Sequence, residues 1–269
     1  MAAALELDRV SKTFGAMRAV DAVSLSVAPG ERVALIGASG SGKSTMIRLA
    51  AGLALADRGG GTVRSFGVPV QADGRLARDV RRARRQIGLV FQQFALVGRM
   101  SVLANVLVGA LGRMHGVRGT LGLFNAHERR TALAALAEVG IAEQAGKRAR
   151  ELSGGQQQRV AIARALMQGA RLVLADEPIA SLDPKSAKRV MDTMVTLSRD
   201  HGIALVVSLH QVDYATAYFD RVVAMRAGRI VFDGPAARIT PAFLTELYGA
   251  SAEELILPVP AAQPDLIPA

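Results

Sequence analysis

The residues 37–45, Gly-Ala-Ser-Gly-Ser-Gly-Lys-Ser-Thr, set a lysine and two hydroxyls directly behind closely spaced glycines. This satisfies the pattern G-x-x-x-x-G-K-[ST] in full. Glycines let the main chain wrap around phosphates, and successive N–H groups and a helix N-terminus stabilise the anionic charge. Lys43 then reaches the outer phosphates, and the Ser44 hydroxyl is placed to ligate Mg²⁺. A short apolar run, 32–37, precedes the loop and a helical pattern, 44–53, follows it, which is the context this chemistry requires.

Phosphate chemistry of this kind needs a carboxylate to hold the metal's waters. Residues 172–176, Leu-Val-Leu-Ala-Asp, bring Asp176 out at the end of a buried strand, and Glu177 follows at once. In α/β folds the carboxyl ends of the strands line the ligand crevice. A second carboxylate beside the first is well placed to orient and deprotonate water. His210 ends another buried strand and is expected beside the same site, whereas His115, His127 and His201 read as ordinary surface or satisfied residues.

A second loop, Leu-Ser-Gly-Gly-Gln at 152–156, lies more than a hundred residues further on. A helix starting at its glycines directs free N–H groups and a helix dipole outward, which makes another anion site. Spacing alone does not say how two such loops meet one ligand.

The composition limits the alternatives. The 269 residues suffice for one large domain or one with an inserted subdomain, and half of them are hydrophobic. There is no cysteine, which excludes disulfides, thiolate metal sites and cysteine nucleophiles. The net charge of +10 draws anions such as ATP, nucleic acid or acidic lipid. Much of that charge is arginine within 75–86, read as a solvated helix face, and no aromatic residue interleaves to build a stacking platform for single strands. No secretory signal and no uninterrupted apolar run of about 18 residues is present, so work at a membrane is expected to go through a partner.

The elements that must position these residues follow from periodicity. Strands are expected at 5–10, 20–27, 32–37, 86–91, 171–176 and 203–210, with an edge strand within 59–68 and a hairpin over 221–234 turning at Ala227–Gly228. Helices are expected at 101–111 and 126–139, around a glycine-rich stretch, and again from 154. Another opens with Asp183 as N-cap and Pro184 at its first position. The alternation implies an α/β sandwich with a mostly parallel core sheet, a further antiparallel sheet and a helical insertion.

Taken in order, "GASGSGKST", "FQQ", "LSGGQQQRVAIARAL", "LADEP", "SLD" and "SLHQ" resemble the nucleotide-binding subunits of ATP-binding cassette (ABC) transporters over roughly residues 5–235. The resemblance implies a P-loop NTPase fold of the ABC type. It implies one nucleotide-binding domain over 1–249 with a helical subdomain at roughly 93–152, and a C-terminal extension at 250–269. It assigns Gly37, Ser39, Gly40, Ser41, Gly42, Lys43, Ser44 and Thr45 to the Walker A loop. Asp176 becomes the metal carboxylate and Glu177 the general base. Gln92 becomes the glutamine that senses metal and attacking water, with Gln93 its adjacent rival, and His210 the switch histidine at the γ-phosphate. Ser153, Gly154, Gly155 and Gln156 become the signature loop that closes on a partner's ATP, Asp183 part of a loop crossing the dimer, and Phe14 an adenine-stacking aromatic; an ordinary strand-end core residue is the alternative for Phe14.

The same resemblance implies ATP and Mg²⁺ as cofactors and a homodimer sandwiching nucleotide. It also implies integral membrane permease subunits as partners, a solute-binding protein met only indirectly, and a peripheral place on the cytoplasmic face of the membrane. "FQQFALVGRMSVLANVLVGALGR", "GTLGLF", "DEPIASLDP" and "SLHQVDYA" are most similar to the ATP-binding subunits of phosphonate importers. Phosphate, phosphite, phosphate-ester and amino-acid importers stay open as alternatives. A soluble ABC ATPase acting on nucleic acid is disfavoured, because the chain has one cassette and no long coiled-coil insertion; nucleic acid is not an expected partner.

Overall fold

A computed structural model describes residues 2–114 and 116–248. The chain opens with β1 (Leu5–Phe14) and β2 (Met17–Val27), an antiparallel hairpin. β3 (Arg32–Ile36) leads through a glycine loop into α1 (Lys43–Ala50). Next come β4 (Thr62–Ser65), β5 (Val68–Ala72), the short β6 (Arg75–Leu76), α2 (Val80–Gln86) and β7 (Ile87–Phe91). Helices α3 (Val102–Leu107), α4 (Gly116–Leu121) and α5 (Ala126–Glu138) precede α6 (Gly154–Gln168). Then follow β8 (Leu172–Asp176), α7 (Pro184–His201), β9 (Ala204–Ser208), α8 (Val212–Tyr218), β10 (Arg221–Arg226), β11 (Arg229–Pro235) and α9 (Pro241–Tyr248).

Two sheets result. One is antiparallel with order β2-β1-β4-β5-β6; the other has order β11-β10-β3-β9-β8-β7 and is parallel except at the β11 edge. Strand alternation explains why the core strands are apolar throughout. Val33, Leu35, Leu172, Leu174, Ala204 and Val206 face a core shared with α1 and the antiparallel sheet. Their chain neighbours Ala34, Ile36, Val173, Ala175, Leu205 and Val207 face a second core built with α3, α5, α6 and α7. The central sheet is thus buried on both faces, which holds the carboxyl ends of β3, β7, β8 and β9 in one fixed rim.

Caps set the helix starts. Ser153 caps α6 with Gln156 as its reciprocal partner, Asn125 and Glu128 do the same for α5, and Asp183 caps α7 ahead of Pro184. The expected hairpin turn at Ala227–Gly228 is present, with both residues at positive φ. No helix among the described residues is long and apolar enough to cross a membrane.

Several expectations are corrected. The helix expected over 101–111 ends as α-helix at Leu107 and continues as a 3-10 helix, Val108–Arg113. The segment 59–68 holds one whole strand and the start of a second, because Phe66 and Gly67 at positive φ fold the chain back into the β4–β5 hairpin. The basic run is helical only from Val80; Ala83 is buried and Arg84 turns inward to donate to the Ala51 and Gly52 carbonyls, so it is not wholly a solvated face. Helices α4, α8 and α9 lie outside the helices that periodicity predicts. His115 and residues 250–269 lie outside the described residues.

Candidate functional site

The glycine loop between β3 and α1 is fixed by close backbone approach. Gly37 has φ 146° and Gly42 φ 105°. A Cβ at Gly37 would run into the Met225 carbonyl, and one at Gly42 into the Ala19 carbonyl. Only glycine fits either position. The β1–β2 hairpin is thereby pressed against the loop, and Phe14 stands beside the turn of that hairpin, half exposed, with Lys12 Nζ 5.2 Å above its ring. An exposed ring of this kind is not a core residue.

Within the loop, Ser39 and Gly40 are exposed, while Ser41 and Lys43 are buried and Thr45 partly so. Lys43 Nζ donates to the Gly37 carbonyl at 2.6 Å and to the Ala38 carbonyl at 3.1 Å. Burial holds its pKa below the ordinary 10.5, opposed by the charges of Glu177 and Asp176. Ser41 Oγ is buried without a protein partner.

Ser44 Oγ donates to Asp176 Oδ1 at 2.8 Å, tying α1 to the end of β8. The register pairs Asp176 with Ser208 on β9, and Ser208 Oγ donates to the same Oδ1 at 2.9 Å. Ser208 Oγ also accepts the Glu177 N–H at 2.9 Å. Glu177 sits at φ 50°, a left-handed conformation that is strained for a side-chain-bearing residue, and this hydroxyl secures it. Glu177 Oε1 lies 2.6 Å from His210 Nε2. Ser208 escaped the sequence reading; the signal was a single hydroxyl in an otherwise apolar strand, two residues before His210.

Beside these residues opens a cavity of about 470 Å³ lined by Ser44, Arg48, Phe91, Gln92, Gln93 and Asp176, with Glu177 at its wall. Both glutamines line it, so position does not choose between them. Ser44 and Asp176 offer hard oxygen donors 2.8 Å apart, a fit for Mg²⁺, which takes few protein ligands and completes its shell with water and phosphate. No cluster of three or more His, Cys, Asp or Glu among the described residues would hold a metal alone.

Ser153, Gly155 and Gln156 line a different hollow of about 230 Å³, together with Arg159, Lys185, Ser186 and Arg189. It shares no residue with the first cavity. Gly154 packs beside it against Leu182. Asp183 caps α7 by accepting the Ser186 N–H at 3.0 Å, and its hydrogen bonds to Ser186 hold its carboxyl below the usual range. One chain therefore gathers Lys43, Ser44, Gln92, Asp176, Glu177 and His210 at one site, and leaves Ser153–Gln156 at another. His201 pairs with Glu138 at 2.6 Å, well apart in role from either.

A family model described as "ABC transporter" matches residues 20–180. The chain is 56% identical to the phosphonates import ATP-binding protein PhnC 1 of Pseudomonas aeruginosa (strain UCBPP-PA14), over 96% of this chain and 93% of that protein. It is 55% identical to the phosphonates import ATP-binding protein PhnC of Cupriavidus pinatubonensis, over 100% and 96%. Among solved structures it is similar to a dimeric post-hydrolysis state of an ATP-binding cassette bound to ADP and Pi, with TM-score 0.73, 31% identity, and 86% of this chain and 98% of that chain covered.

Proposed function

The chain belongs to the ABC transporter family, and from that premise we propose that it is the ATP-hydrolysing subunit that energises phosphonate uptake through a membrane permease. The observation that carries the solute class is the 55–56% identity to phosphonate import proteins over nearly the whole chain. We read residues 1–249 as one nucleotide-binding domain carrying a helical subdomain at about 93–152.

The roles proposed for the site follow from its contacts. The glycine loop cradles the phosphates, and Lys43, released from two carbonyls, takes the outer ones. Ser44 and Asp176, with Gln92 nearby, would hold Mg²⁺, which when bound neutralises charge on the phosphates. Glu177 takes the proton of the attacking water, and His210, in hydrogen-bond contact with it, orients that carboxylate and faces the γ-phosphate. Phe14 offers its open face to the adenine.

The separate Ser153–Gln156 hollow supports a two-copy arrangement. Each copy lends its signature loop, with Asp183 near the crossing, to the nucleotide held by the other. A dimeric relative holding ADP and Pi supports the same reading. Closure around ATP would pull on the permease, and loss of the γ-phosphate would let the halves part.

The test is growth. Cells lacking this chain should fail on a phosphonate as sole phosphorus source and recover when it is restored; normal growth there, with failure on another solute, would move it to a different importer.

A further inference from the structure

The last described helix reaches the phosphate loop. Tyr248 is buried, and its hydroxyl accepts the Gly37 N–H at 3.1 Å across 211 residues of sequence. The helix that presents it is docked. Phe243 packs on Phe232 of β11 with ring centroids 5.2 Å apart, and Leu247 is buried. Arg226 of β10 donates to the Glu246 carbonyl at 3.1 Å and pairs with its carboxylate at 3.4 Å.

Gly37 is the point where this contact acquires a consequence. A Cβ there would strike the Met225 carbonyl, so the main chain runs close against β10 and only glycine fits. Its carbonyl receives Lys43 Nζ at 2.6 Å. Both main-chain polar groups of Gly37 are thus taken, the N–H by Tyr248 and the C=O by Lys43. Replacing the ring by another aromatic would keep the packing and lose only the first of these bonds.

We propose that Tyr248 is a positioning residue for nucleotide binding: its hydroxyl fixes the Gly37 peptide, which opens the phosphate loop and whose carbonyl holds Lys43 Nζ until the lysine is released to the phosphates. The inference rests on the ATPase reading above and adds to it a residue from the C-terminal helix. Burial pushes the Tyr248 pKa up to about 12, so the group remains a neutral phenol throughout the working pH range. A neutral hydroxyl accepting a single N–H is worth a modest but measurable factor.

The test uses the full chain carrying Tyr248→Phe. The KM for ATP should rise by about three- to tenfold with kcat within about twofold of wild type. Hydrogen exchange at the Gly37 amide should quicken, a readout that loss of helix packing elsewhere would not produce selectively. Arg226→Ala, which loosens the helix without altering the ring, should weaken ATP binding in the same direction. Wild-type KM and unchanged Gly37 exchange in Tyr248→Phe would overturn the proposal, as would a drop in melting temperature with unaltered ATP affinity. A wild-type chain unable to bind MgATP would instead sink the ATPase reading, and this inference with it.

Discussion

His210 Nε2 lies 2.6 Å from Glu177 Oε1, joining the end of β9 to the residue after β8. The contact holds the carboxylate at the wall of the cavity that Ser44 and Asp176 line. If Glu177 is the base, Glu177→Gln keeps its shape and removes its proton affinity. Hydrolysis should fall roughly 10²–10⁴-fold while ATP still binds. Single-turnover kinetics beside equilibrium nucleotide binding will check this, and undiminished turnover would assign the base elsewhere.

Ser208 joins the two acidic residues through one hydroxyl. Ser208→Ala strips a donor from Asp176 and strands the partly buried Glu177 N–H at a strained φ. Loss of about 1–3 kcal/mol in urea unfolding is expected, together with a lower kcat. An unchanged unfolding midpoint would mean that the main chain at Glu177 needs no such support.

Burial lowers the pKa of Lys43 from 10.5. As pH climbs towards 10.5, the folded chain gives up this proton while the unfolded chain keeps it. The slope of stability with pH from this group is therefore positive in that window. ATP affinity moves the opposite way, because the phosphates lose their cation. Titrating the Kd for MgATP in alkaline buffers, against Lys43→Met as reference, should show affinity falling below the ordinary lysine range; a flat profile would contradict the burial argument.

Much of this site was legible because its parts are local. The run Arg32–Ile36, the glycine loop and α1 are contiguous, and the apolar strand ending in Asp176 announces where its carboxylate emerges. Capping by Ser153 and Asp183 was equally readable from neighbouring residues. What escaped depends on register or on distant chain. Ser208 matters only because β9 pairs with β8 so that it faces Asp176. Tyr248 matters only because α9 folds back over β10 and β11, which no local pattern near Gly37 could reveal. The basic run misled because charge alone does not disclose an arginine such as Arg84, whose guanidinium serves buried carbonyls.

The claim on which the mechanism depends is that ATP is enclosed between two copies, with Ser153 of each facing the nucleotide of the other. Sedimentation of the Glu177→Gln chain with and without MgATP measures this directly. A particle of twice the chain mass is expected only when ATP is present, and it should be lost when Ser153→Arg is added. A chain that stays single with ATP, or pairs equally well with arginine at that position, would contradict it.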